Sequence, residues 1–273
     1  MRDVLLSDEE ILAGYDAVNH LYPYIPSLLL WRAWEFAAYK RHSLRQPALD
    51  VGCGDGRFFR LVWPDIRDVY GIDQEPAAVE RAAQSGVYRR VWRADAAVLP
   101  ADIGPFESVF ANCSLEHMDN IDSVFASVRR TLAPGGTFLF SVVTDNIASW
   151  FSPAILVRAL GEEALANRLF EEWLQYHHLV NQLSIEQWCA TLVKAGFEVI
   201  EHVPIIPEVT ARLFLLLDGL WHIRQDQTTL GQRLHLRLQQ VPQFAAAFRG
   251  ILQSALMMET DRSIGCGAVL VVK

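Results

Sequence analysis

The strongest constraint in the chain is Ala48-Leu49-Asp50-Val51-Gly52-Cys53-Gly54-Asp55-Gly56-Arg57, followed by Phe58-Phe59-Arg60-Leu61-Val62. A short apolar run ends in three glycines at alternate positions, and a second apolar run begins. The pattern reads as strand, tight turn and helix N-terminus. Glycine is needed where the backbone turns at positive φ or where a ligand comes close to it. The helix beyond presents unpaired N–H groups. The spacing is G-x-G-x-G, which differs from the G-x-G-x-x-G of dinucleotide-binding turns.

A chain of 273 residues, 51% hydrophobic and 21% charged, has enough apolar content for a full core. Its net charge of −8, without a Lys/Arg cluster, argues against a nucleic-acid partner. Cys53, Cys113, Cys189 and Cys266 are far apart with no C-x-x-C pair. Neither a disulfide scaffold nor a zinc site is expected, and a reducing compartment fits. The acidic N-terminus lacks a signal-peptide core, and no apolar run reaches membrane-spanning length. The expectation is a soluble, cytoplasmic protein.

Strand and helix signals alternate from residue 48 onward. Strands are expected at 48–51, at 68–73 ending in Asp73, at 87–94 before Asp95, and at 105–112. Pro76 suits the first turn of an intervening helix and Gly86 its end. Ile121, Val124, Phe125, Val128 and Leu132 mark an amphipathic helix, which Pro134-Gly135-Gly136 stops. A fifth strand follows at 137–143. Ser184 and Gln187 are spaced as a capping box for a helix at 185–195, before a sixth strand at 197–203 and a seventh at 267–272. Repeated strand–helix units imply an α/β fold, Rossmann-like, with a seven-stranded, mostly parallel sheet. Residues 1–47 read as an N-terminal helical flap and 48–144 as the ligand-binding core. Residues 145–183 and 204–263 are insertions that complete a helical cap, and 184–203 and 264–273 give the last helix and strand pair.

In such sheets ligands bind beyond the carboxyl ends of the strands. Asp50, Asp73, Asp95 and Asn112-Cys113-Ser114-Leu115-Glu116-His117 all fall there. An acid about twenty residues after the glycine turn can accept both hydroxyls of a ribose, and one at the next strand end can take a hydrogen bond from a purine amino group.

The ordered set Asp50-Val51-Gly52-Cys53-Gly54-Asp55-Gly56, Gly71-Ile72-Asp73, Ala94-Asp95-Ala96, Leu115-Glu116-His117 and Leu132-Ala133-Pro134-Gly135-Gly136 resembles the successive motifs of class I S-adenosylmethionine-dependent methyltransferases. The pattern is most like the small-molecule enzymes with L-E-H after the fourth strand. The resemblance implies that the last strand inserts antiparallel between strands 5 and 6. It implies that Gly52, Cys53, Gly54 and Gly56 wrap the methionine part of the cofactor and that Asp50 fixes the loop near the cofactor amine. Asp73 would hold the ribose, Gln74 would lie against the adenine, Asp95 and Ala96 would meet its edge, and Asn112 and Cys113 would follow the methionine. S-adenosylhomocysteine would be the product.

Methyl transfer from a sulfonium expels a neutral thioether, so orientation matters most, and a base helps only for some acceptors. His117, His177 and His178 are the candidate bases or acceptor contacts. Cys53 and Cys113 read as small wall residues. No metal is expected. Trp150, Phe151, Phe170, Trp173, Tyr176, Phe214, Trp221 and Phe244 give the insertions an aromatic character. The run 212–223 is apolar enough for a lipid-like acceptor, for peripheral contact with a membrane, or for packing within the cap or a homodimer. A protein or RNA methyltransferase, a nicotinamide-dependent oxidoreductase and a non-catalytic cofactor-binding subunit are the alternatives.

Overall fold

The computed structural model describes residues 1–100, 102–225 and 227–273. Strand β1 (Arg2–Asp3) leads into helices α1 (Asp8–Val18) and α2 (Pro26–Tyr39). Ser7 and Glu10 form a capping box at the start of α1, and Pro26 opens α2. Then come β2 (Ala48–Val51), α3 (Arg57–Val62), β3 (Val69–Asp73), α4 (Pro76–Gln84), β4 (Arg90–Arg93) and β5 (Phe106–Asn112). Helix α5 (Ile121–Thr131) and strand β6 (Leu132–Val143) complete the central alternation.

The first insertion carries α6 (Asn146–Trp150), α7 (Ser152–Ala159) and α8 (Glu163–His177). Helix α9 (Ile185–Lys194) starts from the expected Ser184–Gln187 capping box and precedes β7 (Val199–Ile205). The second insertion holds α10 (Glu208–Trp221), the short hairpin β8 (Arg224–Gln225) and β9 (Thr228–Thr229), α11 (Leu230–Leu238) and α12 (Phe244–Met258). Strand β10 (Gly267–Val272) follows.

The main sheet runs β1-β7-β10-β6-β5-β2-β3-β4. Strand β10 is antiparallel to both neighbours, and every other pair in this sheet is parallel. Strand β10 thus lies between β6 and β7, where the resemblance places the last strand. The sheet has eight strands among the described residues, one more than the seven expected. The addition is β1, whose Arg2 and Asp3 register with Glu201 and His202 of β7. Arg2 pairs with Glu201, and Asp3 Oδ1 lies 2.9 Å from His202 Nδ1. Two residues are too few to leave a periodic signal, and the side-chain contacts that hold them involve partners some 199 positions away.

Other boundaries shift as well. Strand β6 begins at Leu132, so Pro134-Gly135-Gly136 lies within it, and its register against β5 slips between Phe106 and Ser108. Strand β4 is confined to Arg90–Arg93.

The sheet separates two cores. On one side α5 and α9 bury Val124, Phe125, Val128, Trp188 and Leu192 against Phe138, Phe140 and Leu270. On the other, α1, α2, α3 and the cap form a larger cluster around Trp31, Trp34, Tyr39, Phe110, Phe151 and Trp173. Helix α10 turns Ala211, Phe214 and Leu215 inward, and Phe214 meets Trp31 with ring centroids 5.1 Å apart. Phe214 and Leu215 of the apolar run at 212–223 are therefore spent inside the protein, while Leu220 and Ile223 stay exposed. Among the described residues no helix is long and apolar enough to cross a membrane.

Candidate functional site

All three loop glycines have positive φ: +73° at Gly52, +56° at Gly54 and +73° at Gly56. They differ in what surrounds them. A Cβ on Gly52 would sit 2.6 Å from Ser114 Cβ, and one on Gly56 would sit 2.5 Å from the Tyr88 ring. One on Gly54 would meet nothing within 4 Å. Gly52 and Gly56 are thus glycine for close packing, while Gly54 leaves an open cradle at the strand ends.

Asp73, the last residue of β3, faces that cradle. Its Oδ2 accepts the Gly54 amide at 3.1 Å and its Oδ1 accepts the Glu75 amide at 3.0 Å. Two backbone donors fix the carboxylate and leave further lone pairs for a ligand. Asp95 caps the short turn Ala96–Val98 by accepting the Ala97 amide at 2.8 Å. Its position beside Asp73 makes the floor rich in acceptors.

Asp50 plays a different part. It is buried at 3% exposure, and its Oδ2 accepts the Tyr88 hydroxyl at 2.6 Å. Burial pushes its pKa up to about 7, against the pull of the Tyr88 hydrogen bond and with a contribution from Asp73. Tyr88 also reaches the Cys53 carbonyl at 3.3 Å and packs on Gly56, so it buttresses the whole turn. Sequence reading missed Tyr88, which lies in a stretch assigned to a plain strand.

A cavity of about 250 Å³ opens above these strand ends. Gly52, Asp73, Gln74, Asp95, Ala96 and Cys113 line its floor. His117, Met118, Asp119 and His178 line the facing wall. Asp50, Cys53, Gly54, Gly56, Asn112 and His177 are not wall residues. Asn112 ends β5, and its Oδ1 is buried without a hydrogen-bond partner. A buried orphan acceptor is costly unless a ligand or water supplies a donor. The open Gly54 cradle, the Asn112 oxygen and the two carboxylates suit a ligand that donates from hydroxyls and an amine. S-adenosylmethionine has both.

The L-E-H turn is tied to the first insertion. The amides of Val180 and Asn181 both donate to the Glu116 carbonyl at 3.0 Å. Asn181 Nδ2 donates to the carbonyls of Leu115 at 2.9 Å and Met118 at 2.7 Å. His117 Nδ1 lies 3.3 Å from the His178 carbonyl. The carbonyl can only accept, so in this contact Nδ1 is the donor and Nε2 is the ring nitrogen left without this partner.

The neighbouring histidines separate. His178, at φ +50°, closes α8 and borders the cavity. His177 turns to the cap, where its Nε2 is 2.8 Å from Asp218 Oδ2.

A second polar group lies behind Cys113. Glu35, wholly buried in α2, accepts from Cys113 Sγ at 2.9 Å, Ser141 Oγ at 2.6 Å and Arg32 Nη1 at 2.5 Å. Trp31 Nε1 donates to Cys113 Sγ at 2.9 Å. Burial, reinforced by Glu35, pushes the Cys113 thiol well up, and burial does the same to Cys53. Both stay protonated, which argues against nucleophiles; Cys113 lines the cavity, and Cys53 does not. Glu35 was also missed. Its signal was a lone acid inside the Leu- and Trp-rich helix.

Comparison with known proteins agrees with this geometry. Residues 49–140 match a family model described as a methyltransferase domain. The chain is 28% identical over 167 residues to a ubiquinone biosynthesis O-methyltransferase from Methylococcus capsulatus, covering 58% of this chain and 68% of that protein. It is 30% identical over 132 residues to a trans-aconitate 2-methyltransferase from Klebsiella pneumoniae, covering 45% of this chain and 47% of that protein. The chain thus spans only about half the length of several curated relatives it matches. A solved S-adenosylmethionine-dependent methyltransferase from Thermotoga maritima shares the fold at a TM-score of 0.56 and 15% identity, covering 94% of this chain and 96% of that one. With the strand order, the glycine turn and the acids at the strand ends, these matches identify residues 49–140 as a methyltransferase domain on the fold shared with S-adenosylmethionine-dependent methyltransferases.

Proposed function

We propose that the chain transfers a methyl group from S-adenosylmethionine to a small, apolar or lipid-like molecule held under the helical cap. The observation that carries this reading is the acceptor-rich floor of Asp73, fixed by two amides, and Asp95, with the open Gly54 turn and the unpartnered Asn112 oxygen next to it. Bound there, S-adenosylmethionine would supply an activated methyl on a sulfonium. Asp73 would accept the ribose hydroxyls, Gln74, Asp95 and Ala96 would border the adenine, and Asn112 would accept from the cofactor amine. Asp50, screened by Tyr88, would hold the loop in shape.

The remaining task is to place an acceptor atom in line with the methyl and keep water out. The aromatic cap residues Phe151, Phe170 and Trp173 pack together with centroids 5.2 to 6.4 Å apart, and they would exclude water. His117 Nε2 would take the proton from a hydroxyl acceptor. His177 is assigned no such role, because its Nε2 is engaged by Asp218. The named relatives act on small molecules, which supports a small acceptor here.

The test is release of S-adenosylhomocysteine from S-adenosylmethionine in the presence of apolar hydroxylated compounds, small carboxylates, RNA and unfolded protein. The reading expects turnover with the apolar compounds. Turnover with RNA or protein alone would contradict it.

A further inference from the structure

The two insertions meet at a group that the cofactor site does not use. His177 ends α8, while Asp218 lies in the last turn of α10 and His222 is its C-cap residue, four positions on. His177 Nε2 is 2.8 Å from Asp218 Oδ2, and His222 Nε2 is 3.4 Å from Asp218 Oδ1. One ligand atom from each residue can be chosen so that all three lie within 4.8 Å of one another. We propose that His177, Asp218 and His222 form a binding site for a divalent transition-metal ion of the zinc class, joining the two cap insertions.

Three features support this. The ligand set is two imidazoles and one carboxylate, the chemistry that suits such ions, and three protein ligands leave a fourth position for water or an acceptor oxygen. Two ligands each about 2.1 Å from a tetrahedral ion lie about 3.4 Å apart, which is the His222–Asp218 separation; the 2.8 Å His177–Asp218 contact would open to admit the ion. The groups around the ligands are built to hold them still. Trp173 Nε1 donates to Asp218 Oδ2 at 2.8 Å, the kind of outer hydrogen bond that orients a ligating carboxylate. Tyr176 stacks on His222 with centroids 3.9 Å apart, and the two imidazoles cross at 83°. Asp218 itself is 6% exposed. At 3.4 Å the His222 contact is long for an N–H···O bond, so as a hydrogen bond it does little to hold the ring.

The site is invisible to motif reading because its members come from separate insertions, with His177 and Asp218 41 positions apart. The lack of paired cysteines pointed away from a metal, but this site needs none.

The experiment is a titration of the chelator-treated, dialysed full chain with Co²⁺, read by visible absorption, then with Zn²⁺ by calorimetry. The expected result is one saturable Co²⁺ site per chain with the strong absorption of a four-coordinate ion, which Zn²⁺ displaces. His222→Ala, whose fold is checked by circular dichroism, should lose it, and Trp173→Phe should weaken it by about 10- to 100-fold. His235→Ala, on α11, should keep it. Absence of a saturable site in the wild-type chain, or its survival in folded His222→Ala, would overturn the proposal. Neither result depends on cofactor binding or on methyl transfer.

Discussion

The cofactor floor and the cap use buried polar groups in opposite ways. On the floor, acidic side chains at successive strand ends are fixed by nearby backbone: Asp73 by the amides of Gly54 and Glu75, and Asp95 by Ala97. Their spare lone pairs face a cavity. In and under the cap, polar groups are consumed by one another, mostly across long sequence distances. Glu35 is satisfied by Arg32, Cys113 and Ser141, and Asp218 by Trp173 and His177. The difference teaches that the floor leaves acceptors unspent at a cavity, whereas the cap's polar groups tie its helices to one another.

If that contrast is right, the largest stability effect comes from a group that touches no cofactor. Glu35→Ala leaves Arg32 without its buried partner and should cost about 3–5 kcal/mol in urea unfolding. A loss below about 1 kcal/mol would show that the cluster does not hold α2 to the floor.

Asp50 sharpens the comparison, because it belongs to the floor but is buried like a cap residue. Its folded-state pKa of about 7 lies above the ordinary carboxylate value. The folded chain therefore keeps this proton longer than the unfolded chain. Between about pH 4 and pH 7 the unfolded state releases its proton first, so this residue makes stability fall as pH rises, by up to about 4 kcal/mol in total. Below that window the penalty is absent, and above it the penalty is constant. Asp50→Asn should remove the fall, seen as a gap between variant and wild type that widens from pH 4 to pH 7. A constant gap would place the Asp50 pKa outside that range.

The glycines divide the loop further. Gly56→Ala combines positive-φ strain of about 1–2 kcal/mol with overpacking against Tyr88 of about 1–3 kcal/mol, and should lower stability accordingly. Gly54→Ala meets no neighbour, so only the strain applies to folding, yet it should weaken S-adenosylhomocysteine binding at least as much as it weakens the fold. Equal stability losses in the two variants would remove the distinction between packing and cradle glycines. Asp73→Asn has the smallest effect on the fold: it should weaken S-adenosylhomocysteine by about 1–3 kcal/mol in calorimetry with little change in melting temperature. Unchanged affinity would refute its role on the ribose.

The same contrast explains what could be read from the sequence. Floor residues are legible because each sits at a fixed offset from a strand end or glycine: Asp50, Asp73, Asp95 and Asn112 all occupy the strand ends expected of them. Their partners are less so. Tyr88 reaches Asp50 across 38 positions, and only the folded sheet shows that its hydroxyl caps the acid. In the cap, the helices were legible from apolar periodicity, but which histidine faces which element was not. His177 and His178 are adjacent in sequence, and the end of α8 sends one to Asp218 and the other to the cavity. Strand β1 was missed because an edge strand of two residues is held by side-chain contacts to distant partners, which carry no pattern.

The central claim is that the turn at 52–56 with Asp73 holds a sulfonium cofactor. Isothermal titration of the full chain with S-adenosylhomocysteine and, separately, with NAD⁺ tests it most directly. The account predicts one saturable S-adenosylhomocysteine site per chain, weakened in Asp73→Asn, and no response to NAD⁺. Saturable NAD⁺ binding without a response to S-adenosylhomocysteine would contradict it.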